Sequence, residues 1–125
     1  MANPNAVNTT EVYGNNALVV PLTSATVVAN NPASSGKLLK INTVMASNVS
    51  TTGTSLITLN VYSADDLGGT AYSISKNIVI PDNASVVLID SDSSLYLKED
   101  ESLGAIASGN TDVNLIASWD EISDV

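Results

Sequence analysis

The sequence predicts an all-β protein: an antiparallel β-sandwich, jelly-roll-like in its strand order, with an immunoglobulin-like order as second choice. Three observations predict it. Segments such as Ser55–Ser63 and Ala71–Ile80 alternate apolar and polar residues with a period of two, the mark of a half-buried antiparallel strand. No stretch repeats apolar residues at i, i+3, i+4 and i+7 over three turns. Ser, Thr and Asn supply 42 of the 125 residues, and these types favour strand faces and turns over helix interiors.

The elements follow in order. Residues 1–16 are rich in Asn and Thr and read as an extended N-terminal arm; residues 17–125 form a single sandwich domain. Between Ala2 and Asn16 only Val7, Val12 and Tyr13 are sizeable apolar side chains. Burying those three cannot offset the ordering of fifteen backbones, at about 1–2 kcal/mol each, so the arm is expected to gain its order from a neighbouring molecule. Ala17–Pro21 is the first strand candidate and Thr26–Ala29 the second, followed by the turn cluster Asn30–Gly36. Lys37–Asn48 is a long strand, with Leu39, Ile41 and Met45 placed on one face and Lys40, Asn42 and Ala46 on the other.

In Ser55–Ser63, Ile57, Leu59 and Val61 oppose Thr58, Asn60 and Tyr62. In Ala71–Ile80, Lys76 interrupts the apolar face, which predicts a bulge or an edge strand. Pro81–Asn83 turns the chain into Ser85–Asp90, and Leu95–Leu97 is a short strand before the acidic turn Lys98–Ser102. Leu103–Ala107 and Val113–Trp119 are expected to pair as a hairpin closed by Ser108–Thr111. The expected core is Ile41, Ile57, Leu59, Val61, Ile78, Val87, Leu115 and Trp119.

Absent residue types exclude whole classes of chemistry. The chain has no Cys, His, Arg, Phe or Gln. That removes disulfides, thiol nucleophiles, Ser-His-Asp triads, His-ligated zinc and bidentate guanidinium clamps. Four Lys face thirteen acids, for a net charge of −9. The charge is uneven: residues 1–64 carry two Lys and one acid, whereas residues 65–125 carry two Lys and twelve acids. No basic patch is available for nucleic acid. The N-terminus lacks the basic and apolar regions of a signal peptide, and no apolar run approaches the roughly twenty residues of a spanning helix, so no membrane partner is expected. The weakly charged first half is the candidate contact surface.

The carboxylates are the one plausible chemical cluster. Asp90, Asp92, Glu99, Asp100 and Glu101 fall within twelve residues, a density that suits either a hard cation such as calcium or solvated turns. Their spacing is not that of an EF-hand loop. A glycosidase-like carboxylate pair would need an aromatic-lined cleft, and the chain has one Trp and four Tyr. Trp119 with Tyr13, Tyr62, Tyr72 and Tyr96 could make a sugar-stacking platform, although strand-face packing is the ordinary use of such residues. Ser35-Gly36-Lys37 and Ser75-Lys76 are sequence neighbours only, and Gly68-Gly69 lacks the Lys of a phosphate loop. The Asn-x-Ser/Thr pattern occurs at Asn8, Asn48 and Asn83. No catalytic, cofactor or metal residue is expected, and the chain reads as non-enzymatic.

Three segments carry a resemblance. They are Gly36–Asn48 with Thr54–Tyr62, then Ile78–Asp90, then Ser94–Ser108 with the closing strand through Trp119–Ser123. Across residues 36–123 the chain resembles small β-sandwich virion structural proteins of tailed bacteriophages, especially those infecting marine cyanobacteria. The resemblance implies a non-enzymatic virion component, made in the host bacterial cytoplasm and placed as a capsid decoration or head-exterior protein. A neck, baseplate or tail-fibre position is the nearest alternative, and a carbohydrate- or calcium-binding adhesion module the alternative of another class. Its implied partners are other copies of itself, as a homo-oligomer, and other virion proteins.

Overall fold

The computed structural model describes residues 11–123. Nine strands follow one another: β1 (Glu11–Val19), β2 (Thr26–Asn31), β3 (Lys37–Asn48), β4 (Ser55–Ala64), β5 (Gly68–Ile80), β6 (Ser85–Ile89), β7 (Leu95–Leu97), β8 (Glu101–Ala107) and β9 (Val113–Ser123). Among the described residues the helical piece is a 3-10 turn, Ser91–Ser93, and Asp90 caps it by accepting from the Asp92 and Ser93 amides. One sheet has the order β1-β9-β3-β6, with β7 also paired to β3; the other has the order β2-β8-β4-β5. All pairs are antiparallel.

That interleaving is a jelly roll. The strands β6 and β7 act as one interrupted strand, because β6 pairs with Val44–Ser47 and β7 continues along Leu39–Ile41. The first-choice topology therefore stands over the immunoglobulin-like one. The expected β8–β9 hairpin does not: β8 lies between β2 and β4 in one sheet and β9 between β1 and β3 in the other. The reason is the core. Ala107 and Val113, at the two ends of the connection, are both buried, and each belongs to an inner face, so the connection crosses between sheets.

The core is the space between the two inner faces. Leu39, Ile41 and Val44 of β3 and Leu115, Ala117 and Trp119 of β9 meet Ile57 and Leu59 of β4 and Leu103 and Ala105 of β8. Five of the eight expected core residues (Ile41, Ile57, Leu59, Leu115 and Trp119) are buried there, and Val61 packs at the margin. Ile78 and Val87 are corrections. Ile78 sits opposite buried Ile57 but on edge strand β5, where no further strand covers it. Val87 points outward, because β6 packs Val86 and Leu88 against the core.

A bulge explains a third correction. Between Ile41 and Thr43 the β3–β9 register shifts, and Asn42 is the extra residue. A bulge of one residue reverses which side chains face inward. Leu39 and Ile41 are buried before it; Val44 and Ala46 are buried after it. Met45 is thereby turned to the outer face and does not share a side with Leu39 and Ile41.

Two buried asparagines fasten the ends of the sandwich. At one end the two hydrogens of Asn48 Nδ2 serve the carbonyls of Gly53 (2.8 Å), Ile80 (3.0 Å) and Pro81 (3.2 Å), one being shared, while its Oδ1 accepts from the Ser50 amide (2.9 Å). At the other end Asn31 Nδ2 donates to the carbonyls of Lys37 and Leu97, both at 3.0 Å. The Asn-x-Ser pattern at Asn48 is thus an internal fastening. The pattern at Asn83 is a turn residue with φ of 59°, and Asn8 lies outside the described residues.

The expected arm divides. Residues 1–10 lie outside the described residues. Glu11–Asn16 belong to β1 and pair with β9 of the same chain, from Glu11 opposite Ser123 to Val19 opposite Leu115. The backbone ladder orders these residues where side-chain burial would not.

Candidate interaction surface

The outer face of the β1-β9-β3-β6 sheet carries one continuous apolar row. Leu18 lies opposite Ile116, Ile116 opposite Met45, and Met45 opposite Val87. The row crosses four strands, a span of about 14 Å at ordinary strand spacing. Its members keep 77%, 46%, 37% and 57% of their surface exposed, in that order. Beside it lie only uncharged residues: Asn16, Ser118 and Thr43 on one flank, Asn114, Ser47 and Ser85 on the other. A contiguous apolar strip with a neutral polar margin, on a chain of net charge −9, has the make-up of an interaction surface.

Each member has a local cause. Leu18 and Ile116 follow the period-two alternation of β1 and β9, whose other faces bury Leu115 and Ala117. Met45 reaches the row through the Asn42 bulge. Val87 reaches it because β6 spends Val86 and Leu88 on the core. Sequence reading places the weakly charged half at the contact surface but assigns Met45 and Val87 to other faces. The bulge, which decides both the face of Met45 and the continuity of the row, leaves no signal in the period.

A cleft of about 410 Å³ opens at one end of the sandwich, with Trp119 and Leu39 in its lining and Asn15, Lys37 and Glu121 among its polar residues. These polar groups engage one another. Asn15 Nδ2 donates to Glu121 Oε2 at 2.6 Å, and Lys37 Nζ bridges to Glu121 Oε1 at 3.1 Å. The Asn15 hydrogen bond does most to hold the Glu121 carboxyl below the usual range; partial burial opposes it, and Lys37 adds to the lowering. Trp119 Nε1 contributes a small further pull on that charge without reaching hydrogen-bond geometry to any acceptor. The carboxylate is a structural ion-pair partner here, held charged and already occupied.

The acidic turns are also put to structural use. Asp100 Oδ1 accepts from the Asp65 amide, Asp65 Oδ2 from the Ala33 amide and Glu101 Oε1 from the Lys98 amide. Asp66 and Asn30 exchange two bonds, at 2.8 and 3.1 Å. Among the described residues no three or more acids come together into a group that could hold a metal ion, and Asp90, Asp92, Glu99, Asp100 and Glu101 form no such group. Nor do the aromatics make a platform. Tyr62 and Trp119 are buried, while Tyr13, Tyr72 and Tyr96 project from β1, β5 and β7, none of which pairs with another.

No family model matches the sequence, and no curated protein matches it. Among solved structures, the chain is similar to a subunit from work described as "Bacillus endospore appendages form a novel family of disulfide-linked pili". The alignment covers 98% of this chain and 94% of that one, with a TM-score of 0.52 and 12% sequence identity. At that identity the likeness is one of fold: the two chains share the all-β sandwich.

Proposed function

We propose that this chain is a non-enzymatic structural subunit of a bacteriophage virion, placed as a capsid decoration or head-exterior component. The observation that carries the assembly role is the apolar row Leu18–Ile116–Met45–Val87, exposed and unflanked by charge. Its occupant is an apolar strip on a neighbouring virion subunit. The resemblance of residues 36–123 to small virion proteins supplies the particle. The fold neighbour is itself an appendage subunit, although it is disulfide-linked and this chain, with no Cys, would assemble without disulfides.

The experiment is particle binding. Purified chain is mixed with phage particles depleted of it, and co-sedimentation is measured for the native protein and for Met45→Lys and Ile116→Lys. Native protein is expected in the particle fraction, with both variants folded but left in the supernatant. Native protein that stays in the supernatant, or variants that bind as well as the native chain, would overturn the reading.

A further inference from the structure

Among the described residues each sheet of the sandwich leaves two edges, and three of the four carry a device that blocks pairing with another chain. Strand β2 has six residues, a register shift between Val27 and Ala29, and Pro32 directly after it. Strand β5 has three register shifts, Lys76, and Asn77 at a φ of 52°. The β6–β7 edge is broken by the Ser91–Ser93 turn. Strand β1 has none of these. Its nine residues pair with β9 without a shift, and it contains neither Lys nor Pro.

The sequence of β1 is also close to self-complementary. About Asn15, Val12 mirrors Leu18, Tyr13 mirrors Ala17, and Gly14 mirrors Asn16. Val12, Tyr13 and Leu18 are all largely exposed. The one charged residue, Glu11, mirrors Val19, so an antiparallel pairing sets no like charges opposite each other.

We propose that two copies of this chain pair antiparallel through β1, about a two-fold axis at Asn15. Val12 of one copy lies against Leu18 of the other, and Tyr13 lies against Ala17. The two outer sheets become one continuous sheet, and the apolar row of each copy is extended by Val12 of the second copy. The main chain supplies the affinity, as in strand addition generally. The Asn16 amide, met at present by Asn15 Oδ1 at 2.8 Å, exchanges that intrastrand bond for the carbonyl of Gly14 in the second copy. The contact deepens the proposed structural role, since it specifies how one copy meets another.

Cysteine cross-linking tests it cleanly in a chain that has no cysteine of its own. Cα atoms of directly opposed residues lie about 4.5–5.5 Å apart, within disulfide range. Asn15→Cys should therefore dimerise under mild oxidation. Val12→Cys and Leu18→Cys should each stay uncoupled alone and cross-link when mixed. Val79→Cys, on exposed edge strand β5, is the collision control. Asn16→Pro removes one outward amide per copy, leaves the fold intact by circular dichroism, and should raise the dimer Kd at least about tenfold.

Self-coupling of Val12→Cys would overturn the register. An oligomer in which Asn15→Cys stays uncoupled, and which falls to monomer when residues 2–10 are removed, would mean that this segment, and not β1, supplies the added strand. A protein that oligomerises in sedimentation without Asn15 cross-links, and with Asn16→Pro unaffected, would overturn the β1 contact and leave the assembly role standing. A protein that is monomeric throughout would overturn the β1 contact too, with the assembly role then decided by particle binding.

Discussion

Asn15 Nδ2 donates to Glu121 Oε2 at 2.6 Å, a side-chain bond between β1 and β9 that runs beside their backbone ladder. It is the largest cause of the low pKa of Glu121, ahead of the opposing effect of burial and the help of Lys37. A carboxyl whose folded pKa is depressed contributes stability that is present above its unfolded value, about 4.3, and lost as pH falls through the folded value. Glu121→Gln removes that contribution. The stability difference between native chain and variant is therefore expected to be constant above about pH 5 and to shrink as the solution is acidified below about pH 4. Urea midpoints across a pH series measure it. A difference that grows on acidification would mean Glu121 is not held charged by the fold.

Asn48 fastens three carbonyls and one amide at the end of the sandwich, and its side chain is buried. Truncation orphans several groups at once, each costing about 1–3 kcal/mol where water cannot reach it. Asn48→Ala is expected to lose at least about 3 kcal/mol in chemical denaturation. A loss under about 0.5 kcal/mol would show that the loops satisfy themselves.

Much of the sandwich was legible because turn chemistry and alternation agree. Strand β3 spans Lys37–Asn48 as its flanking Gly36 and polar tip predict, and β4 keeps Ile57 and Leu59 inward as its period predicts. Three kinds of information were not in the period. Strand β1 takes in Glu11–Asn16 through backbone pairing, which leaves no mark on the side chains. The Asn42 bulge turned Met45 outward. In β6 the run Val86–Ile89 is apolar throughout, so no alternation existed to tell Val87 from Val86. The apolar row depends on register in the same way: it joins Leu18 and Met45 of the weakly charged half to Val87 and Ile116 of the acidic half, so charge asymmetry does not outline it.

Leu59 and Val87 separate the two apolar environments. Leu59 is fully buried between the sheets and Val87 keeps 57% of its surface exposed. In the isolated chain Leu59→Ala is expected to cost about 2–5 kcal/mol, and Val87→Ala to fall within about 0.5 kcal/mol of native. Equal losses would place Val87 in a packed site and remove it from the outer row.

Gly104 is required for space. Its backbone is unexceptional, but a Cβ there would lie 2.7 Å from Leu67 Cδ2, 3.0 Å from Tyr62 Cε2 and 3.3 Å from the Thr26 carbonyl. Leu67 can yield only by rotating its side chain, because its backbone is held. It occupies a left-handed conformation, φ 61°, in the β4–β5 turn. Its amide donates to Ser102 Oγ at 2.9 Å, and the preceding Asp66 amide donates to Asn30 Oδ1 at 2.8 Å. Gly104→Ala is therefore expected to cost about 1–3 kcal/mol, the usual range for overpacking. Leu67→Gly removes the obstructing side chain and relaxes the left-handed backbone. The double variant should consequently be more stable than the two single losses predict, by about 0.5–3 kcal/mol in a double-mutant cycle. Strict additivity would mean that the added methyl is accommodated elsewhere and that Leu67 does not set the size of residue 104.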